Sequence, residues 1–231
     1  MSTRRTCVYI DGFNLYYGCL KKSKYKWLDL SKLCTLLLPD HTIVGIKYFT
    51  ARVRPRPQDP TQGVRQATYL RALQTLPNLE IYEGHFLSHP AWRLLAPPPE
   101  GHTSLARTGG NGEPEYLDVP DGAQRAYVWE TEEKGSDVNL AAHLLVDGFS
   151  GRYEFAVVIS NDSDLASPIE MVRRELDLPV GIFNPHRNSP SAQLGKVAVF
   201  QRPIWPRLLK ASQFPPVLSD KIGLISKPAE W

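Results

Sequence analysis

Short continuous apolar runs alternate along this chain with stretches in which apolar residues recur every three or four positions. Thr6 to Ile10 is continuously apolar, which predicts a strand buried on both faces. Asp11-Gly12 ends it, and a helix is predicted from about Phe13 to Lys21. Leu30 to Leu38 reads as a second helix, capped by Asp29 or Ser31 and stopped by Pro39. Thr42 to Thr50 is a second strand, and the basic, Pro-rich run Ala51 to Pro60 a loop. Thr61 to Leu76 is a helix, with Val64, Ala67, Leu70 and Leu73 at helical spacing. Strands are then predicted at Leu79 to Phe86, Ala126 to Thr131, Glu154 to Ser160 and Pro179 to Phe183. Helices are predicted at Ser136 to Val146, Leu165 to Leu176 and Pro206 to Ala211. A short strand is read near Ala198 to Phe200.

This order predicts an α/β fold: a Rossmann-like α/β/α sandwich around a mostly parallel sheet, with helices on both faces. One domain over 1–231 fits the length, with a variable insertion at about 88–124 and a C-terminal extension from about 200. The insertion holds Pro97-Pro98-Pro99 and Gly109-Gly110-Asn111-Gly112. Its texture predicts weak regular structure, either a functional arm or plain disorder.

Composition narrows the class. A 42% apolar content supports a real core, and a net charge of +3 is too small to argue for nucleic acid. The distribution is uneven, because residues 1–57 hold 11 Lys/Arg against 3 Asp/Glu. Lys21, Lys22, Lys24, Lys26, Arg52, Arg54 and Arg56 can bind phosphate or simply form a solvated face. Cys7, Cys19 and Cys34 form no CxxC pair, which argues against a disulfide framework or a zinc site. No run approaches a membrane span, and Met-Ser-Thr-Arg-Arg leads straight into a strand, so a soluble cytoplasmic protein is expected.

In a parallel sheet, ligands bind beyond the carboxyl ends of the strands. Here those ends are acidic. Strand one runs into Asp11-Gly12-Phe13-Asn14, and strand five into Ser160-Asn161-Asp162-Ser163-Asp164. Asp137, at the start of the helix after Glu133-Lys134-Gly135-Ser136, opens on the same edge. Singly, Asp11-Gly12 makes a turn, Asp137 complements a helix dipole, and Asp162 and Asp164 cap a helix. Together, carboxylates on one edge repel unless a divalent cation neutralises them. Oxygen ligands suit Mg²⁺ or Mn²⁺, which can polarise a phosphoryl oxygen and activate water. Gly12 would let a phosphate approach the backbone.

These three runs resemble the signature motifs of NYN domains, a group that includes LabA-like proteins within the PIN-like nuclease superfamily. The resemblance spans roughly Thr6 to Asn184. It implies metal-dependent endoribonuclease activity, with Asp11, Asp137 and Asp162 as the principal metal carboxylates and Asp164 as an additional ligand or water-orienting group. It further implies that Asn14 positions Asp11 and substrate, and that Ser160 and Asn161 support the site. Single-stranded RNA is the expected partner, with flanking phosphates held by Lys134, Arg52 and Arg54. Tyr16, Tyr17, Trp27 and Trp92 can stack on bases or serve as packing. Many PIN nucleases carry a mid-helix Glu where this chain has Asp137 near a helix start, which leaves the metal count open. The alternatives are a non-catalytic RNA- or protein-binding regulator and a DNA or flap nuclease. The sequence leaves a protein partner or homo-oligomer open and shows neither.

Overall fold

The first strand, β1 (Arg4–Asp11), lies at the centre of the sheet, and its side chains alternate between two cores. In the computed structural model, which describes residues 3–53, 55, 59–94, 105–108, 114–117 and 125–231, Val8 and Ile10 enter one core. That core includes Leu30, Leu33 and Leu37 of helix α2 (Leu30–Leu37) and Leu70 and Leu73 of α3 (Gln62–Leu73). Cys7 and Tyr9 enter the other, with Leu140 and Leu144 of α4 (Ser136–Phe149) and Ile169 and Val172 of α5 (Ala166–Leu176). This double burial explains the unbroken apolar run. Each such Leu or Ile contributes about 1.5–3 kcal/mol over an exposed one.

Seven strands form the described central sheet. β1 is flanked by β2 (His41–Ala51) and β7 (Phe155–Ile159), both parallel to it. β3 (Leu79–Leu94) continues outward from β2, while β8 (Val180–Asn184) and β9 (Phe200–Pro203) continue outward from β7. The opposite edge ends in β6 (Arg125–Lys134), which is antiparallel, giving the order β6-β3-β2-β1-β7-β8-β9. The mostly parallel α/β expectation therefore holds. The chain turns from one wing to the other between β1 and β7, the place where such sheets bind ligands.

The insertion is more regular than its composition predicts. β3 runs past Phe86 to Leu94 and pairs with β6 from His85↔Lys134 to Leu94↔Arg125, forming a two-stranded arm. A further hairpin joins β4 (Leu105–Thr108) to β5 (Pro114–Leu117). The predicted Pro97 and Gly109 stretches lie outside the described residues, as do Arg54 and Arg56.

Three local differences bear on the site. The first helix is short, α1 (Gly12–Leu15), and widens into a π-helical turn over Tyr16–Leu20. Gly18 lets this turn pack closely on Pro185, because a Cβ there would lie 2.6 Å from the proline. A short helix, α6 (Ala192–Val197), precedes β9 and was not expected. After α7 (Pro206–Ala211), the C-terminal extension folds back as a hairpin of β10 (Val217–Asp220) and β11 (Gly223–Ser226). Arg71 of α3 clamps it through Asp220, with Nε and Nη2 at 2.8 and 2.6 Å from the two carboxylate oxygens. Trp231 then packs against Trp27 and Tyr69.

Under the sheet, Lys47 of β2 meets Asp147 of α4 at 2.5 Å, both nearly inaccessible at 6% and 1%. The Tyr9 hydroxyl donates to the same Asp147 oxygen at 2.8 Å. Arg152 approaches the other oxygen at 3.2 Å. Among the described residues no helix is long and apolar enough to cross a membrane.

Candidate active site

The site begins with Asp11, the last residue of β1 and the cap of α1. Its Oδ1 accepts the Asn14 N–H at 2.9 Å, and its Oδ2 accepts the Ser160 hydroxyl at 2.9 Å. Ser160 directly follows β7, whose pairing with β1 ends at Ile10↔Ile159. Strand pairing therefore brings residues 149 positions apart into contact. The Ser160 oxygen also accepts the Asp162 N–H at 3.0 Å, and Asp162 accepts the Asp164 N–H at 3.0 Å. Asn14 Oδ1 accepts the Asn161 N–H at 2.9 Å, and Asn161 in turn ties down Ser189 and Ser191. These bonds hold the two acidic turns in one geometry.

Asp137 enters from the first turn of α4. Burial pushes its carboxyl up to about 7, and repulsion from Asp11, Asp162, Glu133 and Asp164 adds to the rise. Burial also raises Asp11, against the lowering effect of its hydrogen bonds from Asn14 and Ser160. Glu133 caps the start of α4, accepting the Ser136 N–H at 3.2 Å and its hydroxyl at 2.6 Å. A concentration of acid is therefore real at this edge.

Around the acids lies a cavity of about 800 Å³. Asp11, Glu133, Asp137 and Asp162 form one part of its wall; Phe13, Tyr16, Tyr48, Tyr69, Phe86 and Trp231 supply aromatic surface. Lys26, Arg65 and His186 also reach it. This combination suits a flat, polar-edged organic molecule.

The structure sorts the predicted site residues. Asp11, Asn14, Asp137 and Asp162 all line the cavity; Ser160 and Asn161 brace it through hydrogen bonds. Asp164 is exposed, does not line the cavity and acts on Asp137 from a distance. Lys134 pairs with Glu132 at 2.5 Å, and Arg52 is held by both oxygens of Glu83, so the expected phosphate grips are engaged elsewhere. Gly12 serves packing: a Cβ there would lie 2.7 Å from the Phe49 carbonyl oxygen and the Tyr48 ring. Tyr16 and Tyr17 line the cavity, Trp27 is core, and Trp92 stands on the arm against Tyr127. Glu133, Tyr48, Tyr69, Phe86 and Trp231 were not singled out from sequence. Glu133 stood inside a recognised motif, whereas nothing local marks the aromatics as neighbours.

The carboxylates of Asp11, Glu133, Asp137 and Asp162 on the cavity wall are oxygen donors, which suit a hard cation. Among the described residues, no three His, Cys, Asp or Glu side chains are close enough together to ligate one ion. Asp11 and Asp162 nevertheless share the cavity wall with Asp137, and their charges add to the rise that burial causes in its carboxyl. The arrangement thus fits an ion held by one or two carboxylates and completed by water or substrate, the manner usual for Mg²⁺. It does not fit a closed protein cage.

No protein-family model matches the chain. A solved structure of a Vibrio parahaemolyticus protein of unknown function aligns with a TM-score of 0.54 at 15% identity, covering 88% of this chain and 94% of that one. This likeness supports the α/β architecture alone. The chain is 32% identical, over 251 aligned positions, to 6-hydroxy-3-succinoylpyridine 3-monooxygenase HspA of Pseudomonas putida (strain DSM 28022 / S16). The match covers 98% of this chain and 75% of that protein. A monooxygenase is an oxidoreductase, so this relation overturns the endoribonuclease expectation and the hydrolase class with it. Asp11, Asp137 and Asp162 of the acidic motifs line the cavity, but carboxylates at strand ends serve several chemistries, and fold does not dictate reaction. With near-complete coverage at this identity, the chain belongs to the family of 6-hydroxy-3-succinoylpyridine 3-monooxygenase HspA.

Proposed function

We propose that this chain is a monooxygenase-type oxidoreductase acting on a small hydroxylated nitrogen heteroaromatic that carries an acyl-chain carboxylate. The observation that carries this reading is the cavity at the turn between β1 and β7, acidic in one part and aromatic around it. The family relationship supports the reaction class, and the relative's name supplies the substrate type. The fold is read here as an NYN-like variant of the sandwich, a reading supported by the three acidic motifs.

Monooxygenation places one atom of dioxygen in the product and the other in water, consuming two electrons from an organic reductant and two protons from the reductant and solvent together. The chain's own contribution is binding and proton handling. Phe13, Tyr48 and Phe86 offer faces for a flat ring. Asp137 can take a hydrogen bond from a ring hydroxyl or ring N–H, and accepting its proton enriches the ring in electrons. Asp11, with one of Asp137 or Asp162, would hold a Mg²⁺ or Mn²⁺ ion whose remaining ligands are water or substrate. When bound, such an ion supplies charge neutralisation and polarises a substrate oxygen.

The purified protein, given 6-hydroxy-3-succinoylpyridine, a reduced nicotinamide or flavin and ¹⁸O₂, is expected to put one labelled oxygen into the organic product. Product formed without label, or no dioxygen uptake with the substrate bound, would rule the reading out. Asp11→Asn is expected to weaken Mn²⁺ binding by about tenfold or more through the lost anionic ligand, as measured by calorimetric titration. Undiminished Mn²⁺ affinity would remove Asp11 from the ion's ligands.

A further inference from the structure

The charges around the cavity are unevenly employed. The charges that act most on Asp137 are all acidic, and Asp162 acts on Asp11 in the same sense. Two basic side chains, Lys26 and Arg65, share the cavity wall with these acids. Arg65 is already committed: it pairs with Asp59, bonds Thr61 and lies 3.9 Å from Glu230. Lys26 is different. It is half-buried, lines the cavity, and has no hydrogen bond or ion pair among the described residues. The next residue, Trp27, is fully buried against Tyr69 and Trp231, two members of the aromatic wall. Lys26 is thus an uncommitted cation on the wall of the cavity that Tyr69 and Trp231 also line.

A heteroaromatic acid cannot rest its carboxylate among Asp11, Asp137 and Asp162, where like charge repels it. The aromatic wall offers no counter-charge. A lysine partly withdrawn from water does, and its attraction exceeds that of a fully solvated one. We propose that Lys26 is the carboxylate-binding subsite of this cavity and sets its preference for acids over neutral analogues. The assignment rests on the substrate class argued above. The acyl chain then runs along the Tyr69 and Trp231 side, and the ring hydroxyl turns toward the acids.

Calorimetric binding of 6-hydroxy-3-succinoylpyridine and its primary amide, to wild type, Lys26→Met and Lys26→Arg, tests this. Lys26→Met is expected to weaken the acid by about tenfold to a hundredfold, the worth of one charge-assisted hydrogen bond. It should leave the amide and the thermal midpoint unchanged, and Lys26→Arg should recover most of the acid's affinity. The wild type's preference for acid should also fall with added salt. Wild-type affinity for the acid in Lys26→Met, or equal weakening of acid and amide, would overturn the subsite alone. Failure of the wild type to bind either compound would instead overturn the substrate class, and the subsite with it.

Discussion

Lys47→Met is expected to cost the fold about 3–5 kcal/mol, the range for removing one partner of a buried ion pair. Asp147 would keep its charge at 1% exposure, with the Tyr9 hydroxyl still donating to it. Arg152, itself 61% exposed, approaches the other oxygen at 3.2 Å and places the loss toward the lower end. Adding Asp147→Asn to Lys47→Met should recover much of the stability, because it removes the orphaned charge and keeps an acceptor for Tyr9. Urea unfolding of the two variants measures both numbers; a single-variant loss below about 1 kcal/mol would show that the pair is not buried in this sense. The pair also bears on chemistry. Asp137 lies ten residues before Asp147 on the same helix, about 15 Å along its axis. Loosening the α4 anchor should therefore lower turnover at temperatures where the protein is still folded.

Asp137→Asn should move stability and activity in opposite directions. In the folded state this carboxyl is pushed up to about 7 from 3.8 by burial and by its acidic neighbours. The folded protein therefore holds the proton more tightly than the unfolded chain does. The resulting penalty is absent below about pH 4, grows as pH rises toward 7, and is complete above it. Asparagine cannot ionise, so the variant should be more stable above pH 7 and indistinguishable near pH 4. The group is partly open to solvent and its charge also favours the α4 N-terminus, which leaves a net gain of about 1–2 kcal/mol. For a chain this long, that raises the thermal midpoint by roughly 2–8 °C. Turnover should fall by about a hundredfold or more, the worth of a positioned proton acceptor. Adding Mg²⁺ or Mn²⁺ at pH 8 should stabilise the wild type more than the variant. A variant that is both less stable at pH 8 and fully active would contradict the account of the acidic cluster.

Some of this was legible in sequence because it was local. The unbroken apolar run of β1 carries its own evidence of double burial, and Asp11 and Asp162 mark where two strands end. Asp29 caps α2 as its position suggests, accepting the Lys32 N–H at 2.9 Å. What could not be read was pairing at a distance. Arg52 looks like a phosphate grip until β2 and β3 align and place Glu83 beside it. The arm hid behind Pro90 and the glycines and prolines near it, because its stability comes from cross-strand partners such as Trp92 and Tyr127. Trp231 joins the cavity through a hairpin held by Arg71, which no spacing rule reveals. The reaction was the least legible part. Carboxylates report where charge accumulates, and the aromatic surface beside it, Tyr48, Tyr69, Phe86 and Trp231, is supplied by four separate segments.

The placement of β1 has a consequence during synthesis. Its first neighbour, β2, follows within about 40 residues, but β7 is made only after some 150. At about 5–20 residues per second, one long edge of the central strand waits roughly 8–30 seconds for its partner. Through that interval Asp11 lacks the Ser160 hydroxyl, and Val8 and Ile10 lack Val157 and Ile159. The nascent chain therefore carries an apolar, unpaired edge through that interval, and the part of the cavity wall between β1 and β7 is completed only once β7 has been made.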